Sequence, residues 1–283
     1  MARAQTAVPV VKEPHTPHLV DVEIKDVVLG GEVNLEDLLE QHAGVGTSQR
    51  AEDNLVPMIG VLQAQSPAAD RRNQAYVPGA EPGAFRLKNS PVPVVPGDGE
   101  GLKFIPAHFA VYWVEWTPRE KGGGFVRRHD SLPKEARKVE DERGVRFQLP
   151  SGNEVQETRY HTGLALLPGR GPMPFVIPFK GSGHTTSRTW QTLMNGVRTK
   201  SGRVAPSFAR VYRLSTKQRT NPKGTWFAVE VQEILDSEGN PLVPTLEQVQ
   251  MAAALATQIS AGEKQLDVEE DAATARDLDG EAM

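Results

Sequence analysis

Between Arg159 and Val229 the chain carries 12 Lys and Arg residues and no Asp or Glu. These cations are Arg159, Arg170, Lys180, Arg188, Arg198, Lys200, Arg203, Arg210, Arg213, Lys217, Arg219 and Lys223, spread over the whole stretch instead of gathered in one short cluster. A nucleic-acid backbone asks for such distributed positive charge and, as much, for the absence of carboxylates that would repel phosphate. Aromatic residues interleave with the cations at Tyr160, Phe208, Tyr212 and Trp226. A base stacked on an aromatic face is worth about 1–3 kcal/mol whatever its sequence, so cations and aromatics together suit a single strand. Trp226 alternates with Ala228, Glu230 and Gln232, which puts it on a solvent-facing side, and Trp116 shares a face with Tyr112. The candidate binding set is therefore Arg159, Lys180, Arg188, Arg198, Lys200, Arg203, Arg210, Tyr212, Arg213, Lys217, Arg219, Lys223, Trp226 and Trp116. The plainer reading, in which each cation is simply solvated and Trp190 and Trp113 pack in a core, competes at every single residue. The collective lack of acids is what the plainer reading leaves unexplained.

Other chemistry is poorly served. With no Cys, thiolate nucleophiles, disulfides and thiolate metal sites are excluded. There is no GxxxxGK[ST], GxSxG or HExxH pattern, and the GSGH run at Gly181 lacks the Lys and spacing of a phosphate loop. The 7 His residues are dispersed, and a nuclease would want carboxylates beside its phosphate-binding surface, where this segment has none. The expectation is binding without catalysis, cofactor or metal.

The elements that must hold these residues are mainly strands. Gly and Pro total 48 residues, which favours short strands and many turns. The run AHFAVYWVEW (107–116) reads as a strand, with Gly122 to Gly124 as a turn behind it. VRFQLP and EVQETRYHTGLALLP form a hairpin around Pro150-Ser151-Gly152-Asn153. SFARVYRLS and TWFAVEVQEIL read as two further strands, with Phe227, Val229 and Val231 toward the core. Three helices are expected. Asn34 caps LEDLLEQHA, stopped by Gly44; Trp190, Leu193, Met194 and Val197 mark one face of a helix over 186–197; and Thr245 with Gln248 opens LEQVQMAAALATQIS, stopped by Gly262. The charged stretch 127–145 reads as an exposed excursion with a solvated helix from Pro133 to Gly144.

Charge divides the chain into three blocks of -5 (1–158), +12 (159–229) and -11 (230–283). Residues 1–33 read as an irregular arm, 34–262 as one β-rich domain with its terminal helix at 245–261, and 263–283 as a disordered acidic tail with 8 acids and 2 bases. That tail is either a solubilising terminus or a movable one that covers the basic segment and recruits replication partners. No apolar run approaches a membrane span or a signal peptide, so a cytoplasmic protein is expected.

Four stretches give a resemblance: DNLVPMIGVLQAQSP with YVPGAEPGAF, FIPAHFAVYWVEW, PFKGSGHTTSRTWQTL, and FARVYRLSTKQRTNPKGTWFAVEV, together covering about residues 53–231. In layout they are similar to the single-stranded-DNA-binding proteins of tailed phages, encoded with replication and recombination genes. The resemblance implies an α+β, mainly β fold, an OB-like barrel or strongly curved antiparallel sheet, that coats single-stranded DNA in the host bacterial cytoplasm. A homo-oligomer and phage replication or recombination partners, met through the acidic tail, are compatible with it. The chain departs in ending on Ala282-Met283, with no terminal aromatic. Two rivals stay open: a strand-annealing recombinase, and a phage structural or assembly protein whose basic surface meets DNA or protein.

Overall fold

The computed structural model describes residues 35–42, 45–46, 50, 54–141, 144–222 and 224–267. The chain divides into two units, residues 1–47 and 48–283. The first contributes α1 (Leu35–Gln41), a short helix with no buried residue. Its expected cap Asn34 and stop Gly44, like the acidic tail beyond residue 267, lie outside the described residues.

In the second unit the strands are β1 (Leu55–Val56), β2 (Ile59–Val61), β3 (Phe85–Leu87), β4 (Val94–Val95), β5 (Leu102–Trp116), β6 (Phe125–His129), β7 (Arg137–Asp141), β8 (Gly144–Gln148), β9 (Glu154–Leu166) and β10 (Pro172–Phe179). After α2 (Gly183–Gly196) come β11 (Tyr212–Asn221), β12 (Gly224–Glu233), α3 (Leu246–Ser260) and β13 (Gln265–Leu266). Eight strands form one antiparallel sheet in the order β12-β11-β5-β9-β8-β7, with β10 also on β9 and β6 also on β5. β2, β3 and β4 form a small antiparallel sheet, and β1 pairs with β13 in parallel. The fold is mainly β with three helices. No closed barrel forms among the described strands, because the path is open between β12 and β7. The OB-like barrel of the resemblance is thereby replaced by an open sheet.

The spine is the pair β5 and β9, long enough for each to take different partners along its length. β11 meets β5 at 102–104 and β6 meets it at 113–116, while β8 and β10 meet opposite ends of β9. Both faces of this spine are covered. On one side Phe104, Ala165, Phe179 and Tyr212 pack with Trp190 and Met194 of α2 and with β2 and β3. On the other Ile105, Tyr160 and Leu164 pack with Ala252 and Leu255 of α3 and with Val56 and Leu266. Burial on both faces is why GLALL reads as an unbroken apolar run instead of an alternation. The register slips between Pro106 and His108, and Gly163 lies opposite Pro106. A Cβ on Gly163 would stand 2.1 Å from the Ile105 carbonyl oxygen, so only glycine lets the two strands approach there.

Two expectations are corrected. The 127–145 stretch is not helical: Pro133 makes a single turn to Ala136, and β6, β7 and β8 take the rest. Its charges find partners across strands. The buried Glu115 carboxylate accepts from Arg127 Nε at 2.8 Å, His129 Nε2 at 2.9 Å and Asn153 Nδ2 at 2.6 Å. Burial alone would push this carboxyl up, but the three donors outweigh it and hold it below the usual range. The strand expected from Ser207 instead begins at Tyr212, after a 3₁₀ turn over Ser207–Ala209, and runs on through polar residues to Asn221.

β10 is absent from the sequence reading because it contains Pro172, Pro174 and Pro178. The Val176 N–H points away from β9, to the Pro57 carbonyl at 2.9 Å. The three prolines share its parity, so each lacks only an outward N–H and the ladder to β9 is intact. α2 begins at Gly183, earlier than expected, and α3 carries the expected Thr245–Gln248 capping box and Gly262 stop.

Candidate nucleic-acid interface

Beyond the core, Phe109, Val111 and Trp113 of β5 stand directly beside His161, Arg159 and Glu157 of β9 on the α2 side of the sheet. α2 is tied along this row. His184 Nε2 lies 3.0 Å from the Glu157 carbonyl oxygen, and Ser187 Oγ lies 2.8 Å from His161 Nε2. The Trp190 ring stacks on the His161 ring, centroids 4.5 Å apart at 9°. His184, Arg188, Gln191 and Asn195 then fall at i, i+4, i+7 and i+11, one stripe along the helix. Phe109 is 36% exposed, so this part of the strand is surface, and Trp113 is half-buried with its edge on Phe147.

The chain leaves α2 through a tight loop. Ala205 N–H returns to the Val197 carbonyl, Arg198 bridges Val204, and Gly202 takes a left-handed turn at φ 80°. Arg198, Lys200 and Arg203 on this loop are exposed, as is Arg188 on the helix. None of the four forms an ion pair with a described residue. Arg198 donates to the Asn195 carbonyl at the end of the α2 stripe. Arg159 is partly compensated by Glu157, at 2.8 Å.

A cavity of about 100 Å³ opens between this loop, α2 and the register slip of β5, lined by Pro106, His108, Phe109, His161, Gln191 and Met194 among others. His161 Nδ1, His108 Nδ1 and Gln191 Nε2 are buried atoms with no hydrogen-bond partner among the described residues. Both histidines flanking α2 are neutral. Burial, reinforced by Arg159, lowers His161 to about 3, and burial likewise lowers His184, with Arg159 and Arg188 adding to it. Positive charge here comes from the arginines and Lys200.

The His161 shift makes a stability prediction. A histidine that protonates near 6.5 when unfolded and about 3 when folded contributes its full stability above pH 6.5 and loses it as pH falls toward 3. At pH 4.5 the loss should be about 2–3 kcal/mol. Urea denaturation at pH 7 and pH 4.5 should show this extra acid sensitivity in the natural chain and less of it in His161→Gln. Equal acid sensitivity in the two would show that His161 is not held neutral.

The other candidates lie elsewhere. Arg213, Lys217, Arg219 and Trp226 share the opposite face of the β11–β12 hairpin, where Arg219 sits beside Trp226 and Arg213 beside Lys103. This second patch is partly neutralised: Arg219 pairs with Glu230 at 2.8 Å and Arg213 bonds Gln232. Lys180 Nζ stands 4.4 Å over the Trp116 ring, again on the face away from α2, and so occupies the ring face a base would stack on. Arg210 is half-buried. Tyr212 is 0% exposed and packs its ring edge against Trp190, so it offers no surface for stacking; its pairing with Phe104 of β5 turns it into the core. Lys223 lies outside the described residues. The acid-free segment thus does not make one basic face. Arg159, Arg188, Arg198, Lys200 and Arg203 gather beside α2, while Lys180 and the set Arg213, Lys217 and Arg219 lie at two places on the other side.

The Pam3 phage gp34-like protein family model matches residues 32–265, from α1 to β13. The chain belongs to that family. Its phage character agrees with the kind of protein the sequence resembles, while the family description states no activity. Comparison with curated proteins and with solved structures finds no match. Among the described residues of this family member, no three His, Asp or Glu side chains gather as a metal site, and no helix is long and apolar enough to cross a membrane.

Phe109, His161 and Gln191 were not singled out from the sequence, and Trp113 was read there as a core residue. Alternation assigned Phe109, Val111 and Trp113 to a core face, because nothing local says that β5 outruns the helix covering it. Gln191 lies off the apolar stripe of α2, and only its 3–4 spacing from Arg188 and Asn195 signals a second functional side.

Proposed function

We propose that this phage protein binds single-stranded DNA in a sequence-tolerant way, coating it during replication or recombination without catalysing a reaction. The observation that carries the reading is the group Arg188, Arg198, Lys200 and Arg203, exposed and without an acid partner among the described residues, beside a row containing the Phe109 and Trp113 rings. Unpaired cations supply phosphate contacts and exposed rings supply stacking, the two needs of single-strand binding. The arrangement favours a single strand over a duplex, because a paired base cannot present its face to Phe109. The test is fluorescence anisotropy with labelled single-stranded DNA, duplex DNA and RNA over a salt series. The expected result is preference for the single strand, with log Kd depending on log salt at about 0.7 per phosphate contacted. No binding at low salt would overturn the reading and favour a structural or assembly role. Annealing of complementary strands by the bound protein would move the assignment to a recombinase.

A further inference from the structure

We infer that the cavity between α2 and the β5 register slip is a pocket for one pyrimidine base of the bound strand. The inference rests on the single-strand reading above and adds what it lacks, a place where a base is read. His161 is 0% exposed and fixed on three sides: Ser187 holds Nε2 at 2.8 Å, Trp190 stacks at 4.5 Å, and Phe179 meets the ring edge-on at 5.3 Å. Only its Nδ1 is left without a partner among the described residues, and two further lining residues of the cavity, Gln191 at Nε2 and His108 at Nδ1, are unpartnered as well. A buried polar atom left unpaired costs about 1–3 kcal/mol, so three among the residues of one small cavity favour a ligand, and His161 with Gln191 offers a complementary acceptor and donor to it.

The ligand chemistry follows from the atoms. Gln191 Nε2 is a donor and asks for a carbonyl oxygen. In the His161 tautomer that donates Nε2–H to Ser187 Oγ, the one assigned to the bound state, Nδ1 is an acceptor and asks for an N–H. A carbonyl beside a ring N–H is the edge of thymine, and the exocyclic amine beside the unprotonated ring nitrogen offers the same adjacent donor–acceptor pair in cytosine. Phe109, tilted at 4.8 Å from the His161 ring and exposed on its other side, provides the stacking wall at the mouth. Size disfavours the larger bases: a closed cavity of about 150 Å³ takes benzene, so one of about 100 Å³ with an open mouth takes the edge of a single six-membered ring, the rest of it staying at the mouth, and not a two-ring purine. None of the cavity's lining residues is acidic, and Arg198 is bonded to the carbonyl of one of them, Asn195. The lining itself therefore offers no carboxylate to repel the phosphates on either side of an inserted base.

The test uses the full chain and three variants, Phe109→Ala, Gln191→Leu and His161→Gln. Oligo-dT and oligo-dA of equal length are compared by anisotropy, and thymidine and adenosine 5′-monophosphates are titrated into ¹⁵N-histidine-labelled protein. The expected result is about tenfold tighter binding of oligo-dT, a preference that Gln191→Leu and Phe109→Ala each abolish; Gln191→Leu should leave oligo-dA affinity within about twofold, whereas Phe109→Ala, which removes a stacking ring, should weaken oligo-dA as well. The thymidine nucleotide should shift the resonance that His161→Gln removes, saturably, and the adenosine nucleotide should not. If both oligomers bind but neither variant changes their ratio, and the His161 resonance stays put, the pocket inference fails while single-strand binding stands. If neither oligomer binds, the coating role fails, and the nucleotide titration alone then decides the pocket: a saturable His161 shift supports it and its absence overturns it.

Discussion

Replacing Arg198, Lys200 and Arg203 together by alanine is expected to weaken single-stranded-DNA binding by roughly tenfold to a hundredfold near 0.1 M salt. It should also lower the log-log salt slope by about 2, since three phosphate contacts at about 0.7 each would be lost. All three side chains are exposed on the loop after α2, so melting temperature should be unchanged and a folding defect cannot mimic the effect. The informative control is Arg213→Ala with Arg219→Ala. Those two cations already serve Gln232 and Glu230 on the other face of the sheet, so their loss should cost no more than a few-fold. Equal losses in the two variants would show that charge, not the α2 surface, governs binding. A larger loss in the hairpin variant would move the interface to the outer face of β11 and β12, with Trp226 as its aromatic.

The largest stability effect is expected at Trp190. Its ring is fully buried, stacks on His161, and meets Phe104, Phe179 and Tyr212 edge-on at 5.8, 6.2 and 5.8 Å. Trp190→Ala should cost about 3–5 kcal/mol, the usual range for emptying such a site. For a domain of this size that is a fall in melting temperature on the order of 10 °C. Because Trp190 also holds the His161 imidazole in place, the variant should lose any oligo-dT preference even at temperatures where it is folded. A cost under about 1 kcal/mol would mean that α2 does not pack on the sheet through this residue.

How far the sequence could be read depended on whether the deciding interaction was local. The capping box of α3 and the turn between β8 and β9 involve residues three or four apart, and both stand where expected. The inward set Phe227, Val229 and Val231 follows from strand parity, which no later packing could reverse. Misreadings arose where distant partners decide. Stretch 127–145 has a helix-like proline start, yet Glu115, Asn153 and β9 draw it into strands. Tyr212 shares its parity with Arg210 and Leu214 whichever residue starts the strand, and only pairing with Phe104 of β5 fixes which side is inside. The basic segment was legible as a charge distribution, but a charge count has no faces. Its division between the α2 side and the outer hairpin face comes from topology: β11 and β12 carry cations on the face opposite the one that α2 covers.

The prolines of β10 bear on how copies of the chain can meet. An exposed strand margin ordinarily invites another molecule to extend the sheet, because its free amides can pair with any backbone. Along β10 that invitation is withdrawn: three outward positions have no amide hydrogen, and the fourth, Val176, is already engaged by Pro57. In the proposed coating role, copies crowded along a DNA strand would thereby be protected, on this margin, from runaway strand-to-strand aggregation, and cooperative contacts between neighbours would have to be built from side chains elsewhere.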